Sequence, residues 1–185
     1  MGQAGIIGGK KVNTESMVKS LKKEFGKRIL EISLSETPVG KNGKKASRIW
    51  MSVKPGDFKS VVKYLFKLQE FPHFSVSSGF DAGKEIEIIN HFTLNYGRPG
   101  AMILLSIRTR LPKKKPEMDT ITDLIPGAWV SEKEKQEFLG VKIKGIKPGR
   151  LFLDDSLPRG VYPWRKDSKG PGKYAINLRT GDSVE

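Results

Sequence analysis

Cysteine is absent from this chain of 185 residues. That excludes disulfides and any cysteine-held iron–sulfur or zinc site within it, and it fits a reducing compartment. Histidine is nearly absent too, with His73 and His91 alone. A two-histidine metal site would need carboxylates at close range, and local spacing places none, so both read as ordinary strand residues. Long apolar runs are missing: the longest, Ala101 to Leu105, is far short of the ~20 residues that a bilayer helix needs. The N-terminus, MGQAGIIGGKK, has no charged segment ahead of its short apolar patch, so no signal peptide is expected. Acidic residues are in deficit, 20 against 34 Lys and Arg, for a net charge of +14. Such a balance points to an anionic partner, or to acidic neighbours in an assembly. Few Asn and Gln beside abundant Lys is the bias of a thermophile. What remains, 37% hydrophobic and 29% charged residues, suits one folded domain with a real core.

Along the chain, residues 1–12 read as a flexible, Gly-rich lead. Asn13 or Thr14 can cap a helix whose apolar residues Met17, Val18, Leu21 and Phe25 recur at three- and four-residue steps. Gly26 stops it. Leu30, Ile32 and Leu34 predict a strand with one more apolar face, Val39 to Gly43 a tight turn, and Ile49, Met51 and Val53 the return strand. Pro55-Gly56-Asp57 opens a second helix with the stripe Phe58, Val61, Val62, Leu65 and Leu68. Strands follow at Phe74 to Phe80, Glu85 to Leu94 and Ala101 to Arg110, joined by short turns that imply antiparallel neighbours. A short helix is expected from about Ser131 to Leu139. The order predicts an α+β domain over residues 13–140, with helices packed on one face of a mainly antiparallel sheet. A long extended C-terminal tail, 141–185, follows.

Most familiar chemical motifs fail on inspection. In GIIGGK, three residues separate Gly5 from Gly9 where a phosphate loop needs four, and Lys11 follows Lys10 where it needs Ser or Thr. Asp154-Asp155 are adjacent in an extended segment, where neighbouring carboxylates point apart. There is no nucleophile elbow, paired-histidine zinc motif or dinucleotide fingerprint, so no catalytic residue is assigned. Residues 1–50 carry eleven Lys or Arg against four Glu, and Lys113-Lys114-Lys115 form a second cluster. Such patches can neutralise phosphates. Since no nucleic-acid-binding motif surrounds them, a basic nucleic-acid-binding module stands only as the second reading.

The tail is more informative. RLFLDDSLPRGVYPWRKD, from Arg150 to Asp167, has no helical or strand period, yet it interleaves Arg with Leu151, Phe152, Tyr162 and Trp164. Arg and aromatics are the enriched residues of protein interfaces. An extended segment of this composition covers something, either its own core or another subunit.

The series Glu132-Lys133-Glu134, Glu137-Phe138-Leu139-Gly140-Val141, Gly145, Arg150-Leu151-Phe152-Leu153 and Gly160-Val161-Tyr162-Pro163-Trp164-Arg165-Lys166-Asp167 resembles the signature of the thirty-kilodalton subunit of respiratory complex I. It resembles more closely still the version in archaeal membrane-bound hydrogenases and the related sulfane sulfur reductase. Lys133 stands where that family usually has Arg, Gly145-Ile146-Lys147 where it has Gly-His-Pro, and Arg150 alone where it has an Arg pair. The resemblance implies a non-catalytic accessory subunit in the hydrophilic arm of an ion-translocating oxidoreductase. Such a subunit binds no cofactor itself, while its partners carry iron–sulfur clusters and, in the hydrogenases, nickel–iron. The implied partners are a hydrogenase-like large subunit, which it braces, and iron–sulfur small subunits. The implied place is peripheral, on the cytoplasmic face of the membrane, with attachment through partners. Residues expected at the interface are Glu132, Glu134, Phe138, Arg150, Phe152, Tyr162, Pro163, Trp164, Arg165 and Lys166.

Overall fold

A computed structural model describes residues 11–39, 44–98 and 100–174. The Gly5 to Lys10 stretch, the turn residues Gly40 to Gly43 and the last eleven residues lie outside that range. Helix α1 (Thr14–Phe25) starts where Asn13 caps it, the Asn13 side-chain oxygen accepting from Ser16 N–H at 3.2 Å. It ends at Gly26, whose φ of 47° suits glycine and whose N–H donates to Lys22 O. Strands β1 (Ile29–Val39) and β2 (Lys44–Val53) form an antiparallel hairpin, with Ile32 opposite Met51 and Leu34 opposite Ile49. Helix α2 (Pro55–Leu68) opens on a proline, which loses no intrahelical bond there. Strands β3 (His73–Asp81), β4 (Glu85–Leu94) and β5 (Ile103–Pro112) follow. A short strand β6 (Glu117–Asp119), helix α3 (Ala128–Leu139) and strand β7 (Lys142–Lys144) complete the regular elements among the described residues, apart from two 3-10 turns.

The five long strands make one sheet in the order β1-β2-β5-β4-β3, and the sheet is mostly antiparallel. The exception is the pair β2–β5, which runs parallel with Ile49 opposite Leu105. A parallel pair needs a long crossover, and here α2, β3 and β4 supply it. The β6–β7 pair is parallel too, and its crossover contains α3.

The chain divides into two compact units, 1–78 with 89–109, and 79–88 with 110–185. In the first, Met17, Leu21 and Phe25 of α1 and Phe58, Val61, Val62 and Leu65 of α2 are buried with Ile49, Met51, Phe92 and Leu105. Tyr64 ties the helices together, lying edge-on to Phe25 and sharing a 2.5 Å hydroxyl hydrogen bond with Ser20. Asn95, with φ of 53°, closes the β4–β5 turn. Its side chain donates to Val12 O and Ala101 O and accepts from Val12 N–H, each at 2.9 Å.

The predicted apolar face of β1 is only partly used. A bulge between Ile29 and Glu31 shifts the register, and β1 is an edge strand, so Leu30 and Leu34 remain exposed. In the second unit the core is formed by Ile86, Ile88, Leu111, Met118, Ile121, Leu139, Val141 and Ile143.

Candidate docking site on the C-terminal strap

Helix α3 is unusual in burying charged residues. Glu132, Lys133, Lys135 and Glu137 are all at least nine-tenths buried. A buried charge is tolerable only when hydrogen bonds replace its water, and three of these heads are occupied by the chain's own irregular segments. Glu132 accepts from the Thr120 hydroxyl at 2.5 Å and from Ile121 N–H at 2.9 Å, fixing the segment after β6. Lys133 donates to Lys147 O at 3.0 Å, Gly149 O at 2.8 Å and the Gln136 side chain at 3.3 Å. Glu137, one turn on, accepts three successive backbone N–H groups: Leu151 at 2.6 Å, Phe152 at 2.9 Å and Leu153 at 3.0 Å. Burial works against its ionisation, but those three N–H dipoles outweigh it and hold the carboxyl below the usual glutamate range. Lys135 pairs with Glu134 at 2.5 Å, and its ammonium lies 5.5 Å from the Trp164 ring centre.

A second anchor lies at the far end of the strap. Trp164 N–H donates to Phe138 O at 2.9 Å, and the Phe138 ring sits 4.7 Å from Trp164 and 5.9 Å from Phe152. Gly140, with φ of 71°, ends α3 with its N–H directed at the Gln136 and Lys135 carbonyls. A Cβ at Gly140 would lie 2.5 Å from the Tyr162 ring, so that close approach requires glycine. Arg165 is buried, donating to Asp167 at 2.7 Å, to Leu139 O at 3.4 Å and to Lys113 O at 3.5 Å. Lys113 bridges Asp81 at 2.6 Å and Asp167 at 3.3 Å, while Asp81 also accepts from Lys166 N–H at 2.8 Å. The Arg165 guanidinium is the main reason that the Asp167 carboxyl sits far below its usual range.

The expected interface residues therefore separate into two groups. Glu132, Arg165 and the backbone of Lys166 are engaged inside the chain. Arg150 donates to the carbonyls of Asp154 and Leu157 and lies 3.6 Å from Asp155. Tyr162 packs on Gly140, and Pro163 is half-buried. Among the apolar side chains, Leu151 at 49%, Phe152 at 45% and Trp164 at 37% stay exposed, together with Trp129 and Val130 on α3, and the charged side chains of Asp154, Asp155, Arg159 and Lys166 are exposed beside them. Sequence reasoning missed Glu137, Lys133 and the Asp81–Lys113–Asp167 cluster as the fastenings. A hint lay in the charged residues at 132, 133, 135 and 137 on a short helix with no clear polar face.

This arrangement is a strap: Glu137, Lys133 and Arg165 fasten it within the chain, while Leu151, Phe152 and Trp164 stay partly exposed. The sequence profile of the family described as "Respiratory-chain NADH dehydrogenase, 30 Kd subunit" matches residues 51–174. The chain belongs to that family. It is 33% identical over 124 residues to the beta subunit of the membrane-bound hydrogenase of Pyrococcus furiosus, covering 66% of this chain and 71% of that one. It is 30% identical over 173 residues to the C subunit of the F(420)H(2) dehydrogenase of Methanosarcina mazei, covering 90% and 99% respectively. In fold it is similar to a chain of the membrane-bound sulfane sulfur reductase, an archaeal respiratory membrane complex, with a TM-score of 0.58 at 21% identity over 82% of this chain and 83% of that one. A trypsin-resistant fragment of Nqo5 matches with a TM-score of 0.52 at 15% identity, over 72% of this chain and 97% of that one.

Proposed function

We propose that this chain is an accessory subunit of the hydrophilic arm of a membrane-bound, ion-translocating oxidoreductase, and that it braces a hydrogenase-like large subunit through the 150–167 strap. The observation that carries the reading is the strap itself. An irregular segment held by Glu137, Lys133 and Arg165 leaves Leu151, Phe152 and Trp164 half in water. Aromatic and apolar side chains held exposed together on one fixed segment have the composition of a surface that a partner covers. The relatives' names, each a subunit of a larger oxidoreductase, support a partner of that kind.

On this reading the electron carriers, iron–sulfur clusters and in a hydrogenase nickel–iron, belong to the partners. The chain takes a peripheral place on the cytoplasmic face, and no helix among the described residues is long and apolar enough to cross a membrane. Affinity purification of the tagged chain from detergent-solubilised native membranes, followed by mass spectrometry, tests it. The expected result is recovery of a hydrogenase-like large subunit and cluster-bearing small subunits. Recovery of nucleic-acid-associated proteins, or of no stoichiometric partner, refutes it.

A further inference from the structure

The N-terminal unit carries a second surface that the strap does not explain. Residues 11–28 and 54–68, which hold α1, α2 and their flanks, contain ten Lys or Arg against three carboxylates. The buried faces of both helices are apolar, so the lysines are directed outward: Lys19, Lys22, Lys23 and Lys27 around α1, and Lys63 and Lys67 on α2, are all exposed. The Ser20–Tyr64 hydrogen bond and the Phe25–Tyr64 contact hold the two helices side by side, so their lysines form one field. Lys19, Lys22, Lys23, Lys27 and Lys63 make no ion pair among the described residues.

The kind of cation narrows the partner. Protein interfaces favour Arg, which tolerates desolvation and binds carboxylates bidentately, and they are depleted in Lys. The one arginine of this layer, Arg28, is already placed over Phe25 and 3.8 Å from Asp57. Strongly hydrated lysines on flexible stems, with no exposed aromatic anchor among them, suit a diffuse, wet anionic surface. Tyr64, the aromatic between the two helices, is half-buried and engaged with Phe25 and Ser20, so it offers no free face for stacking a base. We infer that the α1–α2 lysine field is a peripheral docking surface for anionic lipid headgroups, adding direct electrostatic attraction to the attachment that partner subunits provide. This inference rests on the chain's being a subunit of a membrane-attached assembly.

The test is sedimentation of the purified full chain with vesicles of phosphatidylcholine alone, or with about a third phosphatidylserine, at low and at physiological salt. Binding to the anionic vesicles only, weakening as salt rises, is expected. The charge reversal Lys19→Glu, Lys23→Glu, Lys63→Glu and Lys67→Glu should weaken it by at least about tenfold, since each basic residue near such a surface contributes measurably. A control that reverses Lys84, Lys114, Lys147 and Lys169 changes net charge equally and should leave most binding intact. Circular dichroism melts verify that both variants are folded.

Equal loss in both variants, no binding to anionic vesicles, or clearly tighter binding to duplex DNA than to vesicles overturns the inference. Co-purification of the α1–α2 variant with its partners in detergent, where no bilayer remains, separates the two proposals. If the partners are retained while vesicle binding is lost, both stand. If the partners are missing for the unmodified chain, the accessory-subunit reading fails independently of the lipid result.

Discussion

Replacing Glu137 by Gln should unfasten the strap without unfolding the helix that holds it. The carboxylate now accepts three backbone N–H groups, at 2.6, 2.9 and 3.0 Å. Hydrogen bonds to a charged group contribute about 1.5–3 kcal/mol each, against about 1 kcal/mol for a neutral one. An amide oxygen of Gln can still accept one or two of them, and water can reach residues 151–153, which are exposed or half-exposed. The net loss should therefore be about 2–4 kcal/mol, concentrated in the strap. That corresponds to a rise in local opening of about thirtyfold or more.

Amide hydrogen exchange at Leu151, Phe152 and Leu153 is the direct assay. Exchange there should accelerate by that factor while amides inside α1 and α2 keep their protection. Acid should act as the mutation does. The folded-state pKa of Glu137 lies below its unfolded value, so its contribution is complete above about pH 4.3 and is lost as pH falls below it through the depressed value. Unchanged exchange at 151–153 in Glu137→Gln at neutral pH would refute the fastening role.

Four further outcomes follow from the same geometry. Gly140→Ala combines a left-handed φ with a clash against Tyr162 and should cost about 1–3 kcal/mol, read as a lowered melting temperature. Gly127→Ala, where a Cβ would meet nothing within 4 Å, should be nearly silent. Asp81→Asn removes a buried acceptor shared by Lys113 and Lys166 N–H, and its loss should destabilise by about 2–4 kcal/mol. Because Asp81 and Asp167 both ionise below their usual range, the unmodified chain should lose stability progressively below about pH 4, and Asp81→Asn should flatten that acid limb in a pH series of thermal melts.

Much of this architecture could be read from the sequence where one periodicity governs. The stripes of α1 and α2 and the strict alternation of β4 each answer to a single buried face, and the Asn13 cap and Gly26 stop are local chemistry. Helix α3 was harder. It starts at Ala128, three residues before the expected position, because its inward side is built from Glu132, Lys133, Lys135 and Glu137. A hydrophobic pattern cannot reveal residues whose burial depends on backbone groups from residues 120–121 and 147–153. The parallel β2–β5 and β6–β7 pairings arise from crossovers rather than adjacent turns, so short-loop reasoning could not find them. In the strap, composition singled out the aromatics and arginines. It could not tell that Arg165 would turn inward to Asp167 while Leu151 and Phe152 turned outward, because that division depends on the acceptors that α3 supplies.

The most direct test of the account is the yield of large subunit recovered with tagged Leu151→Asp relative to the unmodified chain. Leu151 is 49% exposed and its side chain takes part in none of the strap's fastenings, so the variant should melt as the unmodified chain does. A charge at that position would have to be desolvated in a closed interface, and the recovered large subunit should fall by tenfold or more, in line with about 2 kcal/mol or more for an unpaired buried charge. Full recovery of the large subunit with a folded Leu151→Asp chain would contradict the claim that the strap is the docking surface.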